Sequence, residues 1–168
     1  SAKKRFINAL KHSVINWCRT PTGNPEYYTW SYGQEAFEIW IDDLQKAEKY
    51  TDKERSELFF VNAWNFGTMR DARKNAVKYL EKKIKLLPGN AAKKMNKALD
   101  LYKKEVKLFK ANPDAFKGPM NGKKVVDWTS ADRQRELKIM QKTLKLENQA
   151  INLIREGLEA MEVDKNSV

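Results

Sequence analysis

The chain has 168 residues, 41% of them hydrophobic and 33% charged, with 33 basic against 22 acidic side chains. That length and balance set one domain with a core that needs no metal or disulfide staple, and they exclude a wholly disordered chain. With one cysteine (Cys18) and one histidine (His12), an intrachain disulfide and a closed zinc site are excluded, and the lack of any Glu-x-x-His pair excludes a di-iron bundle.

The first segment, "SAKKRFINALKHS", turns polar too soon for a signal peptide, and no run nears the roughly 20 apolar residues of a membrane span, so a cytoplasmic protein is expected. Phe6, Leu10, Val14 and Trp17 make a helical stripe over residues 4–18. "RTPTGNPEY" then breaks it and reads as a loop. Ser31 with Gln34 predicts a capping box for a second helix reaching about residue 48. Its apolar face is Gly33, Ala36, Phe37, Trp40, Ile41, Leu44 and Ala47.

Thr51 and Glu54 repeat the capping signature and open a third helix running to about Leu87, roughly 54 Å at 1.5 Å per residue. Asn90 is expected to cap a fourth helix, with Ala91, Met95, Ala98, Leu99, Tyr102, Val106 and Phe109 on one face. A Pro/Gly-rich connector covers 111–128, where "KVVDW" is the one segment with any strand character. Thr129 opens a last helix to about residue 162, whose Leu137, Met140, Leu144, Ile151, Ile154, Leu158 and Met161 repeat as a bundle seam. The sequence therefore predicts an all-α fold: a single domain over 1–168, a bundle of about five helices with a long central third helix and a long last one, its core in 4–110.

The third helix is unusual. Its main stripe holds Leu58, Phe59, Phe66, Met69, Ala76, Val77, Leu80, Ile84 and Leu87, but Asn62, Asn65 and Arg73 interrupt it. Phe60 and Trp64 lie on its far side, which predicts that the first half is enclosed on both sides, with Gly67 allowing a close helix approach. Enclosed amides and a guanidinium need partners, because an unpaired buried polar group costs about 1–3 kcal/mol. Either they bond loop carbonyls and helix ends, or they line a pocket walled by Trp64, Phe66 and Met69 with Trp40. Pockets between bundle helices are mostly apolar with a few convergent polar groups.

The order "WSYGQEAFEIWIDDLQ", "NAWNFGTMRDARKNAVKYLEKKIKLL", "AAKKMNKALDLYKKEVKLF" resembles the all-helical domain that follows papain-like or butirosin-biosynthesis-type N-terminal domains in microbial proteins. The residues that carry the resemblance are Tyr32, Gly33, Ala36, Trp40 and Leu44, then Ala72, Arg73, Ala76, Tyr79 and Leu80, then Ala98 and Tyr102. The resemblance implies an accessory or substrate-holding domain of a larger cysteine-dependent enzyme, its catalytic part elsewhere.

In this chain Cys18 and His12 are six positions apart on one helix, about 120° around it, which is no dyad geometry. Glu35, Glu38 and Asp42 share one solvated face. Catalysis by this chain is not expected, nor any cofactor. Between Lys74 and Lys124 stand 15 Lys, four acids and no Arg, and Lys93, Lys97, Lys104 and Lys107 gather opposite the fourth helix's apolar face. Such a face is either plainly solvated or a polyanion contact, and the missing Arg weighs against sequence-reading of nucleic acid.

The expected function is a non-catalytic binding or accessory domain that takes a small amphipathic or aromatic ligand at Tyr32, Trp40, Asn62, Trp64, Asn65, Met69 and Arg73. The alternatives are nucleic-acid or other polyanion binding through the lysines, and a protein-interaction module docking through its last helix.

Overall fold

A computed structural model describes residues 1–24 and 28–163. Five α-helices carry the fold: α1 (Ala2–Trp17), α2 (Gly33–Lys46), α3 (Asp52–Lys83), α4 (Gly89–Lys110) and α5 (Ser130–Val163). The all-α expectation holds, with α3 at 32 residues and α5 at 34. The segment expected to be a loop also carries a small antiparallel pair, β1 (Thr22–Asn24) and β2 (Tyr28–Trp30), with Gly23 opposite Thr29. "KVVDW" forms a 3-10 turn at Val125–Asp127 instead of a strand. No helix among the described residues is long and apolar enough to cross a membrane.

The predicted start of α3 is seen in full. Thr51 Oγ1 accepts from the Glu54 amide while the Glu54 carboxylate accepts from the Thr51 amide, a reciprocal box that satisfies two end donors. Thr129 and Asp132 cap α5 the same way. Two predicted caps are corrected. Helix α2 starts behind Tyr32 with no side-chain cap, and Gln34 donates to Glu38 instead of serving Ser31. Asn90 lies inside α4, which begins behind Pro88; the proline's fixed φ already suits that position.

Gly33 explains the α2 start. Its φ is +52°, and a Cβ there would overlap the Trp17 backbone, so α1 ends directly against the first turn of α2. Only glycine tolerates both conditions.

Helix α5 packs most extensively on α4 and also on α2 and α1, while α3 leans chiefly on α4 and stands off from α1 and α2. Two apolar clusters result. One joins Phe6, Leu10 and Trp17 of α1, Leu80 of α3, Met95 and Leu99 of α4 and Ile151 and Ile154 of α5. The other gathers Leu44, Phe59, Phe66, Phe116, Trp128 and Met140 around the first halves of α3 and α5. The α5 seam is thus spent inside the molecule; Met140, Ile151 and Ile154 are buried, which removes that seam as a docking face.

Candidate functional site

Because α3 stands away from α1 and α2, a groove of about 900 Å³ opens between the three helices, floored by α4 and α5. Six of the residues expected at a ligand site line it: Tyr32, Trp40, Trp64, Asn65, Met69 and Arg73.

The enclosure expected of α3 is not found. Trp64 is 56% exposed and Phe60 50% exposed, so the far side of the early α3 faces solvent, and Trp64 stands at the rim of the groove. Gly67 has no neighbour within reach of an added Cβ, so it permits no close helix approach. Phe66 is not a wall either: its ring stacks on Phe116 at 3.9 Å between centroids, inside the second cluster.

Asn62 is a further correction. It is 1% exposed and absent from the groove wall. Its Oδ1 accepts from Trp40 Nε1 at 2.7 Å and its Nδ2 donates to Glu136 at 2.8 Å. Glu136 also accepts from Trp128 Nε1 at 2.9 Å and from the Phe116 amide at 2.7 Å. Asn62 is therefore structural, yet it serves the site indirectly by fixing the Trp40 indole.

At the mouth of the groove, Tyr32 Oη and Thr22 Oγ1 share a hydrogen bond of 2.9 Å, and the Arg19 guanidinium lies 4.2 Å from the centre of the Tyr32 ring. Trp17 is held by a 2.9 Å bond from its Nε1 to Asn148. Phe37 lies between the indoles of Trp17 and Trp40, at 5.6 and 6.3 Å.

The floor is ionic. Arg73 Nε donates to Glu105 at 3.2 Å, and Nε and Nη2 both bond Glu147. Both carboxylates are wholly buried, and the Arg73 guanidinium lies 5.0 Å from the Tyr102 ring centre. One guanidinium faces two acids, so the trio is a proton short of neutrality. Burial, reinforced by the neighbouring Glu147, pushes the Glu105 carboxyl up to about 9. Burial also raises Glu147, which Arg73 partly offsets. Burial opposes the charge on Arg73, but Glu147, Tyr102 and Glu105 outweigh it and tighten its hold on its proton. Burial thus favours a proton held on the Glu105–Glu147 pair beneath Arg73.

Sequence reading missed Glu105 and Glu147, although a signal existed. Glu105 falls three residues after Tyr102 and four before Phe109; Glu147 falls three after Leu144 and four before Ile151. Acids at those spacings sit on the apolar stripe and have to be buried. Among the described residues no three His, Cys, Asp or Glu side chains form a metal-sized group. Cys18 ends α1 in solvent with Arg155 Nη2 3.4 Å from its sulfur, and His12 is exposed elsewhere on the helix. Lys93, Lys97, Lys104 and Lys107 are all exposed on α4. No family model, curated protein or solved structure matches the chain.

Proposed function

We propose that this domain is a non-catalytic binding module that holds a small amphipathic ligand in the groove between α1, α2 and α3. The observation that carries the reading is the convergence there of Tyr32, Trp40, Trp64, Asn65, Met69 and Arg73, with a volume in the roughly 300–1,000 Å³ range of ligand sites. Flat aromatic walls bury an apolar body at low entropic cost, and the few polar groups orient it. Among the described residues the groove has no nucleophile paired with a base, which supports holding rather than turnover. The resemblance to accessory domains of cysteine-dependent proteins fits the same role, with this domain presenting a compound to chemistry done elsewhere.

The test is a small-fragment screen read by amide chemical shifts. Binders are expected to move resonances around Tyr32, Trp40 and Met69. Ala72→Trp, which fills the groove from an exposed position, is expected to abolish those shifts without lowering the melting temperature. Binders that ignore Ala72→Trp, or shifts scattered over other faces, would defeat the reading.

A second reading, polyanion contact, rests on Lys93, Lys97, Lys104 and Lys107, which are exposed and make no carboxylate pair among the described residues. Elution from heparin near physiological salt, unchanged when the four are replaced by Gln, would exclude it.

A further inference from the structure

We infer that the groove is built for an anion: its ligand is an amphipathic carboxylate whose apolar body lies against Trp17, Phe37 and Trp40 and whose head group is received by Arg73. This deepens the proposal above and rests on it.

Three observations point to that class. First, the carboxylates of the floor engage Nε and Nη2 of Arg73, while Nη1 makes no hydrogen bond among the described residues. Nη1 is also not among the buried polar atoms that lack a partner, so it reaches solvent, and Arg73 lines the groove with 21% of its side chain open. A guanidinium held by two of its nitrogens and free at the third is a preoriented donor, at small further entropic cost.

Second, the charges a ligand meets are both positive. Arg73 stands at the floor and Arg19 at the mouth, whereas Glu147, the one acid lining the groove among the described residues, is wholly covered. A cationic amine would meet guanidinium first at either end.

Third, each of the two buried carboxyls has one oxygen without a donor. Oε1 of Glu105 and Oε2 of Glu147 are buried with no hydrogen-bond partner among the described residues. A proton on Glu105, shared toward Glu147, fills that gap and cancels one negative charge beneath Arg73. The guanidinium then carries a single protein counter-charge and can accept a second anion. The ionisable groups gathered there are Arg19 after α1, Tyr32 at the start of α2, Arg73 and Tyr79 of α3, Tyr102 and Glu105 of α4, and Glu147 of α5. Burial holds the Glu105 carboxyl at about 9, so it gains negative charge above neutrality. Above that, its negative charge competes with the ligand for Arg73.

The experiment compares phenylbutyrate, phenylbutanol and phenylbutylamine, which share one apolar body and differ in head group. Binding is followed by calorimetry and located by amide shifts between pH 6 and 10. Phenylbutyrate is expected to bind about tenfold more tightly than either of the others below pH 8, and to lose that margin toward pH 10. Glu105→Gln is expected to keep the margin across the whole range; a merely structural Glu105 would leave the pH profile as it was. Arg73→Gln should equalise the three compounds. Since that variant disturbs a buried ion pair, the comparison of head groups on the unaltered protein decides alone. Equal binding of all three in the groove, or preference for the amine, would overturn the carboxylate inference and leave the groove as a ligand site. No groove shift with any of the three would remove both.

Discussion

The long α3 meets buried acid twice, and the two meetings differ. Near its start, Asn62 bonds Glu136, which also takes donors from Trp128 and the Phe116 backbone; both carboxylate oxygens are served and no ion pair is needed. About three turns further along the helix, Arg73 faces Glu105 and Glu147 with one oxygen of each unserved and, among the described residues, one guanidinium nitrogen left open. The first arrangement is closed, in the second cluster, away from the groove. The second is left unfinished, and it lies at the groove floor. Satisfied buried networks fix a structure, whereas partly satisfied ones persist where something else makes use of them.

The comparison breaks most sharply at Glu136. Replacing it by Ala strands three buried donors and leaves a void, so Glu136→Ala is expected to cost about 4 kcal/mol or more in urea unfolding. It should also release Phe116, whose φ of +59° is strained for a residue with a side chain and whose amide that carboxylate holds. A loss below about 1 kcal/mol would show that the Glu136 site is not the closed network described.

Arg73→Met comes next. Removing one partner of a buried pair usually costs about 3–5 kcal/mol, but here both acids can take up protons, so about 2–3 kcal/mol is expected at neutral pH. The penalty should grow with pH, as the stranded carboxyls are forced to ionise.

Glu105→Gln tests the unfinished site more gently. The folded-state carboxyl is held at about 9, well above the roughly 4.3 of a glutamate in an unfolded chain. The folded state therefore binds the proton more tightly, and its advantage is complete at acid pH and is lost as the pH climbs from about 5 to 9. The wild type should lose stability over that window by more than Glu105→Gln, which cannot ionise, and the difference between their melting temperatures should widen steadily. Parallel curves would mean that Glu105 is ionised in the folded protein.

What could be read in the sequence follows the same division. The apolar stripes of α1, α3, α4 and α5 and the Thr51 box are local patterns, and local spacing is enough to place them. The groove residues were legible because Asn65, Met69 and Arg73 interrupt or edge one helical stripe that can be drawn on paper. Their partners were not, since Glu105 and Glu147 come from α4 and α5 and meet Arg73 only through packing. Asn62 was misassigned for a related reason: period alone cannot tell an amide that faces a cavity from one that faces Glu136, 74 positions later. Trp64 was misplaced because the far side of a helix is covered only if another helix arrives, and no pattern within α3 says whether one does.

That last point supplies the smallest expected effect. Trp64 buries less than half its surface and its ring is absent from both apolar clusters. Trp64→Ala should therefore change stability by less than about 0.5 kcal/mol, as exposed substitutions generally do. Energy this small leaves packing out as the reason for an indole at the groove rim, where an exposed aromatic ring gains nothing until something covers it. The same substitution should weaken groove binding of an aromatic carboxylate by about three- to tenfold, since burying an aromatic contact is worth roughly 1 kcal/mol. A variant that loses stability but keeps its ligand would reverse the assignment, making Trp64 part of the frame.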